Sequence, residues 1–184
     1  MLPEPVQTDA GSRRRLITRR VILIALGILI LTGAIAVFAA VLLGRPGPVA
    51  GIPDVLAGLP LTHRLDGAEA AREIDRLHGK TIRVRAATVA HYERPGSVAM
   101  LYVSDAYLGF LAERQLQAMT DGMKKGESPF APPREFQQAG QKVFWTLGQG
   151  QAHFFYRQGS KVIWLAADDQ VGFPSLAATL RTFR

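Results

Sequence analysis

Apolar and polar positions divide this chain into two regimes. Residues 21–43 form a run of 23 without a charge. At about 1.5 Å per residue the run is roughly 34 Å long, enough to cross a hydrocarbon core of about 30 Å with a modest tilt. It predicts a single N-terminal transmembrane helix. Beyond it the pattern changes to short amphipathic segments broken by Gly and Pro, as in a folded domain.

Residues 44–63 contain Pro46, Pro48, Pro53 and Pro60. They predict a semi-extended spacer whose apolar second half, Val55-Leu56 and Leu59-Pro60-Leu61, folds back toward the core. An α+β domain is expected over residues 64–184. Asp66-Gly67-Ala68-Glu69 has the form of a capping box, followed by a helix with Ala70, Ile74 and Leu77 as its buried stripe and Gly79 as its stop. Residues 81–92 alternate as a strand, Arg94-Pro95-Gly96 reads as a reverse turn, and residues 97–103 return as a second strand. A longer helix follows, with Ser104 or Asp105 as cap, Leu108, Leu111, Ala112, Leu116, Met119 and Met123 at helical spacing, and Lys124, Lys125 and Gly126 at its end.

After a loop with three prolines, the segments 134–138, 142–147, 152–157 and 161–167 are separated by Ala139-Gly140, Gln149-Gly150 and Gln158-Gly159, the signature of an antiparallel meander. Pro174 then opens a terminal helix with Leu176, Ala177, Leu180 and Phe183 on its apolar side. The expected fold is an antiparallel sheet of about six strands, a hairpin and then a four-strand meander, packed with two or three helices mainly on one face.

Charge sharpens the membrane reading. Of the formal net +7, residues 1–20 carry +3, from five arginines against Glu4 and Asp9. The remaining +4 is scattered, with no basic run longer than Lys124-Lys125, which argues against a nucleic-acid partner. Arg13, Arg14, Arg15, Arg19 and Arg20 precede the apolar run and only Arg45 follows closely. The positive-inside rule therefore makes residues 1–20 a cytoplasmic basic tail and the C-terminal domain extracytoplasmic, held at the cell membrane by one pass.

Two rivals are a cleaved signal cut near Val37-Phe38-Ala39 and a twin-arginine signal at Ser12-Arg13-Arg14-Arg15-Leu16-Ile17. The run is longer than the usual 7–15-residue signal core, which favours an uncleaved anchor. Thr32, Ala36, Ala40 and Gly44 recur every fourth residue, a small stripe of the kind that lets two membrane helices approach as a homodimer.

Candidate chemistry is sparse. The chain has no cysteine, which removes disulfides, thiol catalysis, thiolate zinc sites and iron–sulfur clusters. His63, His78, His91 and His153 occur singly, so neither a metal site nor a cofactor is expected. Asp168-Asp169 follows a strand but equally reads as a solvated turn. Ser128-Pro129-Phe130 lacks the nucleophile-elbow context, and Gly148-Gln149-Gly150 has no helix after it to hold a phosphate.

The densest feature is the aromatic meander. In strand geometry Phe154 and Tyr156 point one way while His153, Phe155 and Arg157 point the other. With Phe144 and Trp164, the second set predicts an interaction surface, unless the spacer or the first hairpin covers it. The functional expectation is a membrane-anchored binding or assembly domain, an accessory subunit or scaffold of an envelope complex. Its partners would be the lipid bilayer and a membrane protein or a second copy. The alternatives are a transmembrane ligand sensor and an anchored enzyme built on His91, His153 and Asp168.

Overall fold

The computed structural model describes residues 10–78 and 81–184 and falls into two units, one ending at Gly44 and one running from Arg45 to Arg184. The first unit is a continuous helix, α1 (Ala10–Leu43), of 34 residues, or about 51 Å. The whole run 21–43 lies inside it. Its described side chains are exposed from 22 to 36, Leu29 to 68%. Among the described residues no helix is long and apolar enough to cross a membrane; the side chains of Val21, Val37 and residues 40–43 lie outside the described set. Residues 1–9 of the expected tail, the side chains of the five arginines and that of Ala40 in the small stripe also lie outside the described set.

The second unit is α+β. Its elements are β1 (Val55–Leu56), β2 (Leu59–Asp66), α2 (Gly67–His78), β3 (Ala86–Arg94), β4 (Ser97–Asp105), α3 (Gly109–Lys124), β5 (Arg134–Gln138), β6 (Gln141–Gly148), β7 (Gln151–Gln158), β8 (Lys161–Ala167) and α4 (Asp169–Thr182). The described residues thus hold four helices and one antiparallel sheet of eight strands rather than about six, in the order β1-β2-β3-β4-β8-β7-β6-β5. The hairpin and the meander are not separate pieces, because β4 pairs with β8 over seven residues, from Ala99↔Ala167 to Asp105↔Lys161.

Local chemistry sets most of the hairpins. Ala139-Gly140 and Gln149-Gly150 have positive φ at both residues (51° and 77°, 53° and 78°), the two-residue turn whose twist matches antiparallel strands. Ala57-Gly58 repeats the geometry (51° and 80°) between β1 and β2. The expected spacer 44–63 therefore contributes two strands to the sheet. Its first half is also fixed: Gly47 bridges Ala86, the Val49 N–H donates to Thr88 Oγ1 at 3.0 Å, and the Tyr92 hydroxyl donates to the Pro53 carbonyl at 2.8 Å. The segment lies across β3, and its prolines fit because it joins the sheet only at one bridge.

Helices cover both faces, not mainly one. Leu176 and Leu180 of α4 pack on Leu101, Phe154 and Leu165, together with Val49, Leu56 and Leu59 from the segment before β2. On the opposite face Ala70 and Ile74 of α2 meet Ala87 and Val89, while Ala112, Leu116 and Met123 of α3 meet Phe155 and Val162.

Three helix boundaries differ from the sequence reading. Ser104 and Asp105 belong to β4, and α3 starts after Leu108 with no side-chain cap. The Asp66 carboxylate is spent on the Thr88 hydroxyl and the Arg64 guanidinium rather than on a cap. Pro174 sits inside α4, which begins five residues earlier, where Asp168 takes the N-cap position. Leu77 is exposed, and Gly79 lies outside the described residues.

Gly67 ties the leading segment to the sheet. Its φ is +58°, and a Cβ there would stand 2.7 Å from the Pro46 carbonyl oxygen. Gly140 is also left-handed (φ +77°) but faces open space. Gly67→Ala is expected to cost about 2–4 kcal/mol and Gly140→Ala about 1 kcal/mol in denaturant unfolding. Equal losses would mean that the Pro46 contact carries no steric weight.

Candidate binding groove

Strand register lines up one cross-sheet row of large side chains: Leu65, Val89, Tyr102, Trp164, Phe155 and Phe144. The meander end of the row is a stack. Phe155 lies 4.8 Å from Trp164 at 14° and 5.3 Å from Phe144 at 19° between ring planes. Each such contact adds about 0.5–1.5 kcal/mol to the burial of the rings themselves.

The five residues expected to form an interaction surface are therefore brought together, but under cover. Phe155 is fully buried and His153 is 3% exposed, while Phe144, Arg157 and Trp164 are half-buried. The cover is α3 and the loop before β5, not the spacer or the first hairpin. That loop is stapled to β6, the Thr146 hydroxyl donating to the Ala131 carbonyl at 2.6 Å and the Ala131 N–H to Leu147 at 3.0 Å. The staple lays the Phe130 ring edge-on over His153 (4.8 Å) and Trp164 (5.2 Å).

His153 is consequently a structural residue. Its Nε2–H donates to the Gly148 carbonyl at 2.9 Å, and its Nδ1 accepts the Trp164 indole N–H at 3.1 Å. Both nitrogens are satisfied only in the neutral ring. Burial holds its pKa below the ordinary value of 6.5, opposed in part by the Gly148 bond.

Where α3 diverges from the meander it leaves a groove of about 270 Å³ between the helix and β5, β6 and β7. Phe144 is its aromatic floor. Its rim alternates in sign: Arg157 pairs with Glu113 at 2.6 Å, Lys142 pairs with Glu135 at 3.1 Å, and Lys124 stands at the helix end. Both pairs are half-exposed and contribute little to stability, about 0–1 kcal/mol each. They are therefore easily exchanged for contacts to a bound molecule. The groove can offer ionic contacts of both signs and hydrogen bonds from Gln117, Thr120 and Gln141 around a ring face.

No family model, characterised protein or solved structure matches the chain. The site must be read from its own geometry.

The enzyme constellation does not assemble. His91 on β3 and His153 on β7 lie three strand spacings apart, about 14 Å, and the Asp168 carboxylate is taken up by the Val98 N–H at 2.8 Å and Gln151 at 3.0 Å. His91 instead meets His63, directly opposite it on β2. Sequence reasoning missed this pair, and it missed the groove residues Glu113, Glu135 and Lys142. None of them stands in a local pattern, since each site joins elements far apart in the chain.

The neutral His153 has a consequence for stability. Its folded pKa lies below the unfolded value, so the unfolded chain takes up a proton first as pH falls. The stabilisation is complete above about pH 6.5 and is lost progressively as pH falls from there to the depressed folded value. The melting temperature should drop over that interval, and His153→Gln should flatten part of the drop, leaving the part due to His91, whose pKa burial also lowers. An unchanged pH profile in the variant would remove His153 from this role. Trp164→Phe, which orphans Nδ1, should cost about 1–3 kcal/mol at neutral pH.

Proposed function

We propose that the chain is a single-pass membrane protein, cytoplasmic on its N-terminal side, that presents its α+β unit outside the cytoplasm as a binding or assembly module. In this reading it is an accessory subunit or scaffold of an envelope complex. The observation that carries the reading is the uncharged run 21–43 with five arginines before it and one close after. The continuity of α1 through that run supports it, as does the exposure of Ile22, Leu26, Leu29 and Phe38, each above 50%. A row of exposed aliphatic side chains on a helix calls for an apolar surrounding, and a bilayer provides one on every side.

For the exported unit, the mixed-charge groove over Phe144 is the contact surface this reading favours. Its modest volume and double-signed rim suit a polar segment of a partner protein better than a small apolar ligand, whose pockets are usually about 300–1,000 Å³ and mostly apolar.

The absence of cysteine makes topology directly measurable. In intact cells a membrane-impermeant maleimide should label Glu127→Cys at once and Ser12→Cys only after permeabilisation. The reverse pattern would contradict the orientation. Solubilised in mild detergent from its native membrane, the protein should migrate with a stoichiometric partner, and Lys142→Glu should release that partner without lowering the melting temperature by more than a degree or so. A protein that migrates alone would leave the assembly reading without support.

A further inference from the structure

A bulge in β2 carries information that the groove does not use. Leu61 pairs with Tyr92 and His63 with His91, so Thr62 is an extra residue on one strand and the register shifts between Leu61 and His63. Leu61 and Tyr92 both pack into the core beneath α4. Two residues on, regular alternation would return the side chain at 63 to that same face. The extra residue instead turns His63 to the opposite face, where His91 stands, and bulges are a recurrent device for re-aiming a side chain. The two rings lie 5.7 Å apart between centroids, edge to face. His63 is exposed and His91 half-buried.

We propose that His63 and His91 chelate a divalent transition-metal ion, Cu²⁺ in preference to Zn²⁺, with solvent completing the coordination. A metal at about 2.0–2.1 Å from one nitrogen of each imidazole sets two ring centroids roughly 4.5–5.5 Å apart for angles between 90° and tetrahedral, so the pair, 5.7 Å apart and edge to face, reaches that arrangement by rotation of the exposed His63 ring without moving the strands. Imidazole donors suit Cu²⁺, Ni²⁺ and Zn²⁺, and the ordinary affinity order places Cu²⁺ first. Among the described residues no third His, Asp or Glu joins the pair, so the site is open to water or to a ligand from another molecule.

The acidic neighbours of His91 are Glu73 on α2, already paired with Arg76 at 2.6 Å, and Glu93 on β3. The site does not depend on the membrane reading, because it rests on β2 and β3 alone.

The test is Cu²⁺ titration of the full-length protein in detergent, with affinity from isothermal calorimetry and ligand type from electron paramagnetic resonance. The wild type should bind one ion with nitrogen couplings from two imidazoles. His63→Ala, at an exposed position, should weaken binding on the order of tenfold to a hundredfold, the gain that a second tethered ligand confers, and leave one imidazole coupling. His91→Asn should do the same, and His78→Ala should change nothing. Zn²⁺ should compete only at higher concentration. Absence of binding in the wild type, or affinity unchanged in both His63→Ala and His91→Asn, would overturn the assignment. Should His63→Ala alter the circular dichroism spectrum, His63→Gln takes its place with the same expected loss.

Discussion

The pairing of β4 with β8 is the constraint on which the rest of the α+β unit depends. Without it the chain would make a β1–β4 sheet and a separate meander, each with an open edge and one bare apolar face. With it, Leu101 and Leu165 sit side by side at the centre of one face and Tyr102 and Trp164 on the other. A carboxylate clamps each end of the joint. At one end Asp105, whose side chain is 7% exposed, accepts from Arg85 and from Ser160, both at 2.6 Å. At the other, Asp168 takes the Val98 N–H and Gln151. A carboxylate as buried as Asp105 is tolerable only while those partners hold, since stripping the partner from a buried charge costs about 3–5 kcal/mol.

The same joint dictates where the groove lies. Because β8 occupies the place beside β4, the chain leaving β4 must reach the far edge of the sheet before β5 can begin, and α3 makes that crossing over the meander. Its passage buries Phe155 and Val162 beneath Ala112, Leu116 and Met123. The aromatic face thereby becomes core. What remains open is the strip where the helix draws away from β5 and β6, with Phe144 half-covered below and ionic side chains above.

What the sequence makes legible is local chemistry. The X-Gly pairs mark the hairpins of the meander, and the limits of β5 and β8 agree with the alternation to the residue. The apolar stripe of α3 is equally plain from Leu111 on, whereas Leu108 stands at the N-cap position and is exposed. Ala57-Gly58 carries the same turn signal and goes unread because Pro53 and Pro60 surround it, although a two-residue strand at a sheet edge tolerates proline.

The β4–β8 pairing, the bulge at Thr62 and the meeting of His63 with His91 are long-range outcomes that no window of sequence contains. Asp105 misleads for a related reason: as a helix cap it would serve its neighbours, whereas it serves Arg85 and Ser160, 20 and 55 residues away. His153 reads as a lone histidine on a strand. Only the packed structure supplies Trp164 and Gly148 as its two partners.

The proposed membrane anchor stands on a different footing, because a span is decided by composition rather than by tertiary contacts. The proposal of an anchor rests on the 23 uncharged residues, and the proposed direction on the arginines before them. Alkaline carbonate extraction of membranes from cells making the full-length protein tests this most directly. An integral single-pass protein stays with the membrane pellet at its full 184-residue mass. Recovery in the supernatant, or in the pellet only as a shortened chain lacking residues 1–43, would contradict an uncleaved anchor.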